Sequence, residues 1–323
     1  MVPTIRDVAN EAGVSISTVS LALNSPERVG EATRRRVLAA VDALGFVPKA
    51  DAVARARRGV GRIGVLAPYS SYPSVARRLT GVLRAAGSRP AEIVVFDQPS
   101  AARSPSPLLG SLPVTGRLDG LIVVSLPLED AIARRLLRLA TVLVDVRHPG
   151  FDSVHTDDFA GGRLVAAHLL ARGHRRFGFL GEAQESDLYV SPSQRRLAGF
   201  RAALGSYPLD VRLAGHGVVS AVAAVRELLA GADRPTAVFA ADDILAAGVM
   251  RAAHSLGLAV PEDLAVVGFD DGELAEALGL TTVRQPLEES GRAAAELLFR
   301  RLDGPGAPRS IALGLELVAR GSS

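Results

Sequence analysis

Five aspartates stand at or just behind the ends of short apolar runs. Asp145 ends TVLVD, Asp242 and Asp243 follow AVFA, and Asp270 and Asp271 follow AVVGF. Runs this short and apolar, separated by amphipathic helical segments, read as strands of parallel sheets covered on both faces. In open parallel sheets, ligands bind beyond the carboxyl ends of the strands. Acids gathered there can accept paired hydroxyls or base N–H groups, which suits a polar, sugar-like or nucleoside-like ligand. Helix capping is the competing role, and at least one of Asp243 and Asp271 is expected to cap the helix that follows it.

A second group lies at the other end of the chain, in TIRDVANEAGVSISTVSLALN. Thr4 and Asp7 have the spacing of a capping box, Gly13 supplies a tight turn, and Ser15 can cap a second helix. Helix, glycine turn and helix in that order form a helix-turn-helix. The start of its second helix lies at the surface, where Ile16 and Ser17 can reach base edges in a major groove. Ser15, Thr18, Ser20 and Asn24 are short donors suited to phosphate oxygens. An ordinary three-helix bundle would share the spacing without the role. Charge separates the two readings. Residues 1–62 carry ten basic side chains against six acidic ones, a surplus of four, so the rest of this +3 chain sums to −1. Positive charge collected at one end fits a polyanion-binding head on a near-neutral body.

Other chemistries find no footing. The chain has no cysteine, which excludes disulfides, thiolate metal sites and cysteine nucleophiles and fits a reducing compartment. GVGRIG at 59–64 matches G-x-G-x-x-G literally. A basic linker precedes it and a strand follows, whereas a dinucleotide fingerprint needs a strand before and a helix after. There is no P-loop and no G-x-S-x-G elbow, and the six histidines are scattered. Clustered acids suggest a glycosidase, but nothing marks one of them as a proton donor. We expect no catalytic residue, no metal and no cofactor, and hence no enzyme.

These side chains need a scaffold. The chain has 323 residues, 48% of them hydrophobic but only 4% aromatic, so Val, Leu, Ile and Ala must fill the core. The head reads as three helices, the third over 31–44 with Val37, Val41 and Leu44 inward and Gly45 ending it. Residues 48–61 form a basic linker. Beyond it, RIGVLA, EIVVFD, GLIVVS, TVLVDV, FGFL, AVFA and AVVGF read as strands. Helices are expected at 74–86, 129–140, 161–172, 193–204, 218–230 and 244–256. That is too many strands for one convenient sheet, so two lobes are expected. The Ser- and Pro-rich stretch 98–113 reads as a loop. The expected domains are a head at 1–47, a linker at 48–61 and a two-lobed body at 62–323.

The whole of 4–46, with its DVA, AGVS, TVS and LN elements, resembles the head of the LacI/GalR family of transcriptional regulators. In the body, RLDGLIVVS, RRLAGFRAAL, FAADDILAAGVM, VPEDLAVVGFDDGELA, LTTVRQP and LELVARGSS are similar to that family too. The resemblance implies an all-α helix-turn-helix head on an α/β periplasmic-binding-protein-like body of two doubly wound parallel-sheet lobes. It implies an effector between the lobes and chain crossings near Phe159, 285–287 and 313–315. It puts Arg6, Ile16, Ser17 and Leu21 on base-reading positions and Thr33 and Arg34 on backbone-contacting ones; Thr4 joins these DNA-binding candidates. Many members carry Arg where this chain has Leu21, so contact there would be apolar. Gly30 replaces the usual serine cap of the third helix. The family's minor-groove wedge leucine falls on Arg55, which suits either electrostatic reading of a narrow groove or a solvated basic linker. Arg196 falls on an effector-contacting arginine position and can donate a fork of bonds. With Asp145, Asp242 and Asp270, the effector set is completed by Tyr69, Gln285 and Phe159, the last as a stacking face or a core residue. YSSYPSVA departs from the family's usual loop after the first strand.

The function so implied is sequence-specific regulation, in the sense of repression, modulated by a small polar effector. Helix-turn-helix heads bind half-sites in pairs, so the expected partners are a near-palindromic double-stranded operator, the effector and a second copy in a homodimer. No apolar run approaches a membrane span of roughly 20 residues, and the N-terminus lacks a signal pattern, so a cytoplasmic location is expected. A transport binding protein would need a secretion signal and would have no use for the head.

Overall fold

The computed structural model describes residues 3–46, 61–68, 72–87, 89, 91–98, 107–115, 117–126, 128–183, 190–215 and 217–323. The candidates Arg55 and Tyr69 fall outside them. The chain divides into two compact units, Met1–His155 with Glu288–Ile311 and Thr156–Leu287 with Ala312–Ser323. It therefore passes from one unit to the other three times, each within a few residues of where the resemblance put a crossing.

The head opens the first unit. α1 (Ile5–Ala12) starts on a capping box in which Thr4 and Asp7 serve each other's backbone N–H groups. α2 (Ile16–Asn24) starts on Ser15, whose hydroxyl accepts from the Thr18 N–H. A 3-10 turn (Pro26–Arg28) leads to α3 (Glu31–Leu44), whose Gly30 start has no side-chain cap. Val8, Val19, Val37 and Val41, all fully buried, close the small core of these helices.

After the head come β1 (Gly61–Pro68), α4 (Pro73–Ala86), β2 (Ala91–Gln98), α5 (Pro107–Thr115), β3 (Gly120–Val124), α6 (Asp130–Leu136), β4 (Ala140–Val144) and β5 (Asp152–Thr156). The second unit contains α7 (Asp158–Ala171), β6 (Phe177–Glu182), α8 (Pro192–Leu204), β7 (Leu209–Ala214), α9 (Val218–Ala230), β8 (Ala237–Ala240), α10 (Asp243–Ser255), β9 (Ala265–Asp270), α11 (Glu273–Ala277) and β10 (Thr281–Arg284). α12 (Leu287–Asp303) returns to the first unit, and β11 (Ser310–Leu313) and β12 (Glu316–Val318) complete one sheet each. The sheet orders are β11-β5-β4-β3-β1-β2 and β12-β10-β9-β8-β6-β7, the same winding executed twice. In each, the direction of winding reverses beside the first strand laid down, the switch point at which such sheets bind ligands. The second core is aromatic despite the composition: Phe177, Phe179, Phe200, Phe239 and Phe269 are all buried, several packed edge to face.

Three expectations need correction. The stretch 98–113 is not all loop, because α5 occupies Pro107–Thr115; Pro107 falls in the first helical turn, where a missing N–H has no partner to lose, while Pro113 lies inside the helix and forgoes one bond there. The 17-residue helix α12 and strands β5, β7, β10, β11 and β12 were not expected. Nor does the helix expected at 129–140 reach that far, since α6 covers only Asp130–Leu136.

Each unit carries a very close helix crossing beside a buried arginine. A Cβ built on Gly162 of α7 would lie 2.0 Å from the Arg196 carbonyl oxygen on α8, and one on Gly199 would lie 1.9 Å from that of Phe159. In the first unit Gly81 of α4 and Gly291 of α12 meet the same way, 1.9 Å from the Glu288 and Arg78 carbonyls. Gly162→Ala should therefore push α7 and α8 apart and cost about 1–3 kcal/mol, the range for overpacked sites. Gly304, with nothing within 4 Å of its added Cβ, is the control. Urea midpoints for Gly162→Ala and Gly304→Ala should differ clearly; equal midpoints would show that the crossing relaxes freely.

Candidate ligand and nucleic-acid sites

In the second unit, the carboxyl ends of β8, β9 and β10 gather Asp242, Asp243, Asp270 and Gln285. Asp270 accepts from Gln285 Nε2 at 2.5 Å, and Gln285 Oε1 accepts from the Thr156 hydroxyl at 3.3 Å. Arg196 reaches the same edge from α8. Its Nε donates to Asp158 Oδ1 at 2.9 Å, its Nη1 to the Ala241 carbonyl at 2.5 Å, and its guanidinium lies 3.7 Å from the Phe269 ring centroid. Arg196 is thus buried, paired and stacked before any ligand arrives. Phe159, next to Asp158, is 41% exposed, so of its two expected roles the core one is ruled out.

The capping expectation fails for the residues named. Asp242, placed in the ligand set, is the one that caps α10, accepting from the Leu245 N–H at 2.8 Å. Asp243 instead lies buried and accepts from the Thr282 hydroxyl at 2.6 Å and the Gly272 N–H at 3.0 Å. Burial first, then repulsion from Asp270, pushes its carboxyl up to about 7. Asp271 bonds to Arg320 and Arg284. Burial alone would raise its carboxyl, but the two guanidinium groups outweigh burial and hold it below the usual range.

The first unit has its own version of this edge. Asp145, behind β4, accepts both bonds of Arg78 Nη2 at 2.9 and 3.1 Å and a bond from the Ser125 hydroxyl at 2.6 Å. Arg78 and Asp145 side chains are 8% and 7% exposed. The sequence reading missed Arg78, Ser125, Asp158 and Thr282. Arg78 left a usable signal: it stands between Val75 and Val82 on the buried stripe of α4, where a surface arginine does not belong. It also precedes its crossing glycine, Gly81, by the spacing that separates Arg196 from Gly199. Among the described residues, the non-glycine positions with positive φ are Ser125, Asp145, Asp270 and Asp271, at 49°, 63°, 121° and 54°. All four follow or end strands at these two edges. Such conformations are costly and tend to collect where function holds them in place.

On the head, the N-terminus of α2 presents a cluster of hydroxyls. Ser15 Oγ lies 2.7 Å from Ser17 Oγ and 2.8 Å from Thr18 Oγ1. Ile16 is 42% exposed; Arg6 and Ser17 are exposed, while Leu21, Thr33 and Arg34 are half-buried. Asn24 donates to Ser20 at 3.2 Å, so each partner offers fewer free bonds to a phosphate than the sequence suggested. Thr4 is occupied by its own cap. Among the described residues no group of three or more His, Cys, Asp or Glu side chains could hold a metal ion, and no helix is long and apolar enough to cross a membrane.

Comparison with known proteins bears on both sites. Residues 4–49 match the family model for bacterial regulatory proteins, lacI family, and residues 166–323 match that for the periplasmic binding protein-like domain. The ribose operon repressor of Escherichia coli is 32% identical, with 94% of each chain covered. The solved complex of the transcriptional regulator CelR with cellobiose is 31% identical, covers 99% of this chain and 100% of its own, and has a TM-score of 0.72. A lac repressor dimer bound to operator and the anti-inducer ONPF is 26% identical, covers 100% and 99%, and has a TM-score of 0.71.

The raised Asp243 carboxyl makes a prediction about pH. Between the ordinary value of 3.8 and about 7, the folded chain holds a proton that the unfolded chain has released. Stability from this group is therefore lost as pH rises through that window. Asp270→Asn removes the repelling charge and should lower Asp243, so the variant should lose less melting temperature than the wild type between pH 4 and pH 7. Parallel melting curves across this range would refute the coupling.

Proposed function

The chain belongs to the lacI family of bacterial regulatory proteins, and on that premise we propose that it is a repressor whose operator affinity is set by a small polyhydroxylated or nucleoside-like ligand. The supporting observation is the hydrogen-bonded edge of Asp270, Gln285, Thr156, Asp158 and Arg196, polar groups held in fixed geometry beside an exposed Phe159. Carboxylate and amide acceptors next to an aromatic face suit a sugar ring, whose hydroxyls donate on its rim and whose C–H face stacks. The relatives support this class: one is a ribose operon repressor and another was solved with cellobiose. In this proposal Asp270, Gln285 and Phe159 touch the ligand, with Tyr69 as a further contact. Asp242 and Arg196 shape the edge through the α10 cap and the Asp158 pair, and Asp145 presents an acceptor whose charge Arg78 already offsets.

The domain plan we propose is a DNA-binding head at 1–47, a linker at 48–61 and an effector-binding and dimerising body at 62–323. The head would read a near-palindromic operator as part of a homodimer, as the lac repressor dimer does on its operator. Such a protein works in the cytoplasm, where the DNA is. Ile16 and Ser17 then carry base discrimination, with Arg6 and Leu21 beside them. Ser15, Thr18, Ser20, Asn24, Thr33, Arg34 and Thr4 serve the backbone, and Arg55 reads a narrow minor groove through its charge.

Two measurements test this. Substituting Ile16 or Ser17 should change which of several operator variants is preferred, at about 1–3 kcal/mol per spoiled contact, whereas Thr18→Ala should weaken all variants alike. An unchanged order of preference in the Ile16 and Ser17 variants would misplace the reading helix. For the ligand, ribose, cellobiose and nucleosides are screened by thermal shift, where saturation at 100 times the dissociation constant adds about 2.7 kcal/mol. The hit should alter operator affinity in the wild type and fail to do so in Asp270→Asn. Retention of the full response by that variant would remove Asp270 from the site.

A further inference from the structure

The reading head is packed onto the first lobe through a surface that leaves Ile16 and Ser17 exposed. Val114 of α5 belongs to the same apolar cluster as Val19, Ala22, Leu23 and Leu38 of the head. At the middle of the joint sits Gly110, where an added Cβ would come 3.1 Å from Leu38 Cδ1 and 3.7 Å from Arg135 Nη1. Beside it, Arg135 Nε of α6 donates to Asp42 Oδ2 of α3 at 2.6 Å, with Arg138 Nη1 3.4 Å from Oδ1. Arg135 and Asp42 side chains are 15% and 29% exposed, so the pair is better shielded from water and salt than a surface bridge. Ile16 and Ser17 stay exposed.

We propose that Asp42, Arg135 and Gly110 are positioning residues for DNA recognition: they fix the head's orientation on its own lobe, so that half-site spacing is read through the lobe and not through the linker alone. The linker is poorly made for that task, since the largest aliphatic residues in 48–61 are Val53 and Val60, too little apolar surface for a core of its own. A head on a loose tether follows a displaced half-site, whereas a docked head does not. Inserting one base pair between half-sites displaces one of them by roughly 3.4 Å and about a tenth of a turn.

This rests on the DNA-binding reading above, and the test separates the two. Full-length protein selects a palindromic duplex from random DNA. Affinities are then measured for that duplex, for a version with one inserted base pair, and for an isolated half-site. The wild type should prefer the selected spacing. In Asp42→Asn and Arg135→Gln that preference should fall about tenfold, as for a coupled contact, and the double variant should be no worse than either single one. Gly110→Leu, which wedges the joint open without touching a charge, should give the same loss. Half-site affinity and the melting temperature of the body should not move. A spacing preference unchanged in all three variants overturns the dock, as does an equal loss on all three duplexes, which would mark a role in head stability alone. Failure of the wild type to enrich any duplex would instead refute the DNA-binding reading.

Discussion

In each unit two helices approach so closely that only a glycine hydrogen fits between them, and the buried arginine of each polar strand-end edge stands about one helical turn from that contact. Gly81 and Gly291 make the crossing in the first unit, Gly162 and Gly199 in the second. Three residues before a crossing glycine stands an arginine, Arg78 or Arg196, close to one helical turn away and so on the same side of its helix. The crossing holds that side against the partner helix, and a long cationic chain is buried beside it, reaching the ends of the strands. A buried guanidinium is tolerated only when paired and hydrogen-bonded. Each finds its carboxylate, Asp145 for Arg78 and Asp158 for Arg196. Backbone proximity thus dictates the electrostatics of the edge.

The two edges share this scheme but not its outcome. Arg78 meets an acid at a strand end, so the first unit's acceptor arrives with its charge offset. Arg196 meets an acid at a helix start, and the strand ends of the second unit keep Asp242, Asp243 and Asp270 together. Burial and mutual repulsion then raise Asp243 to about 7, a direction that lowers the total negative charge the edge must hold. Left-handed backbone at Asp270 and Asp271 turns successive carboxylates to different partners, Gln285 for one and the Arg284–Arg320 pair for the other.

How much of this was legible in the sequence follows from what each residue contributes locally. The head was legible almost to the residue because its signals are short-range: Thr4 with Asp7, Ser15 and Gly45 act within one helical turn. The apolar strands were legible because burial on both faces leaves no polar interruption. β7 was not, since its residues alternate between half-buried and exposed at a sheet edge. α12 was missed because its middle buries only small residues, Ser290, Ala293, Ala294 and Ala295, and leaves its larger buried side chains to its two ends, at Leu287 and at Leu297, Leu298 and Phe299, while its charges pair along the surface. Arg78 and Asp158 were missed for different reasons. For Arg78 the apolar stripe of its helix held a signal that was not used, whereas the burial of Asp158 is a tertiary fact, fixed by its pairing with Arg196. Resemblance to relatives supplied the position of Arg196, but not its pairing with Asp158.

A ligand can alter DNA affinity only by favouring one arrangement of the chain over another, so the proposed ligand edge and the proposed reading head would have to share a mechanical element. In the first unit the element we propose is α6. It lies in the connection between β3 and β4, which begins at Ser125, the hydroxyl donor to Asp145. The helix ends at Leu136, immediately after Arg135, the donor to Asp42 of the head. The Ser125–Asp145 contact and the head's ion pair are thus joined by residues 125–136, of which α6 forms the last seven. In the proposed coupling, a shift at the first contact would reach the Asp42 carboxylate through that connection. It would have to move α6 against α5, and with it the surface on which α2 and α3 rest.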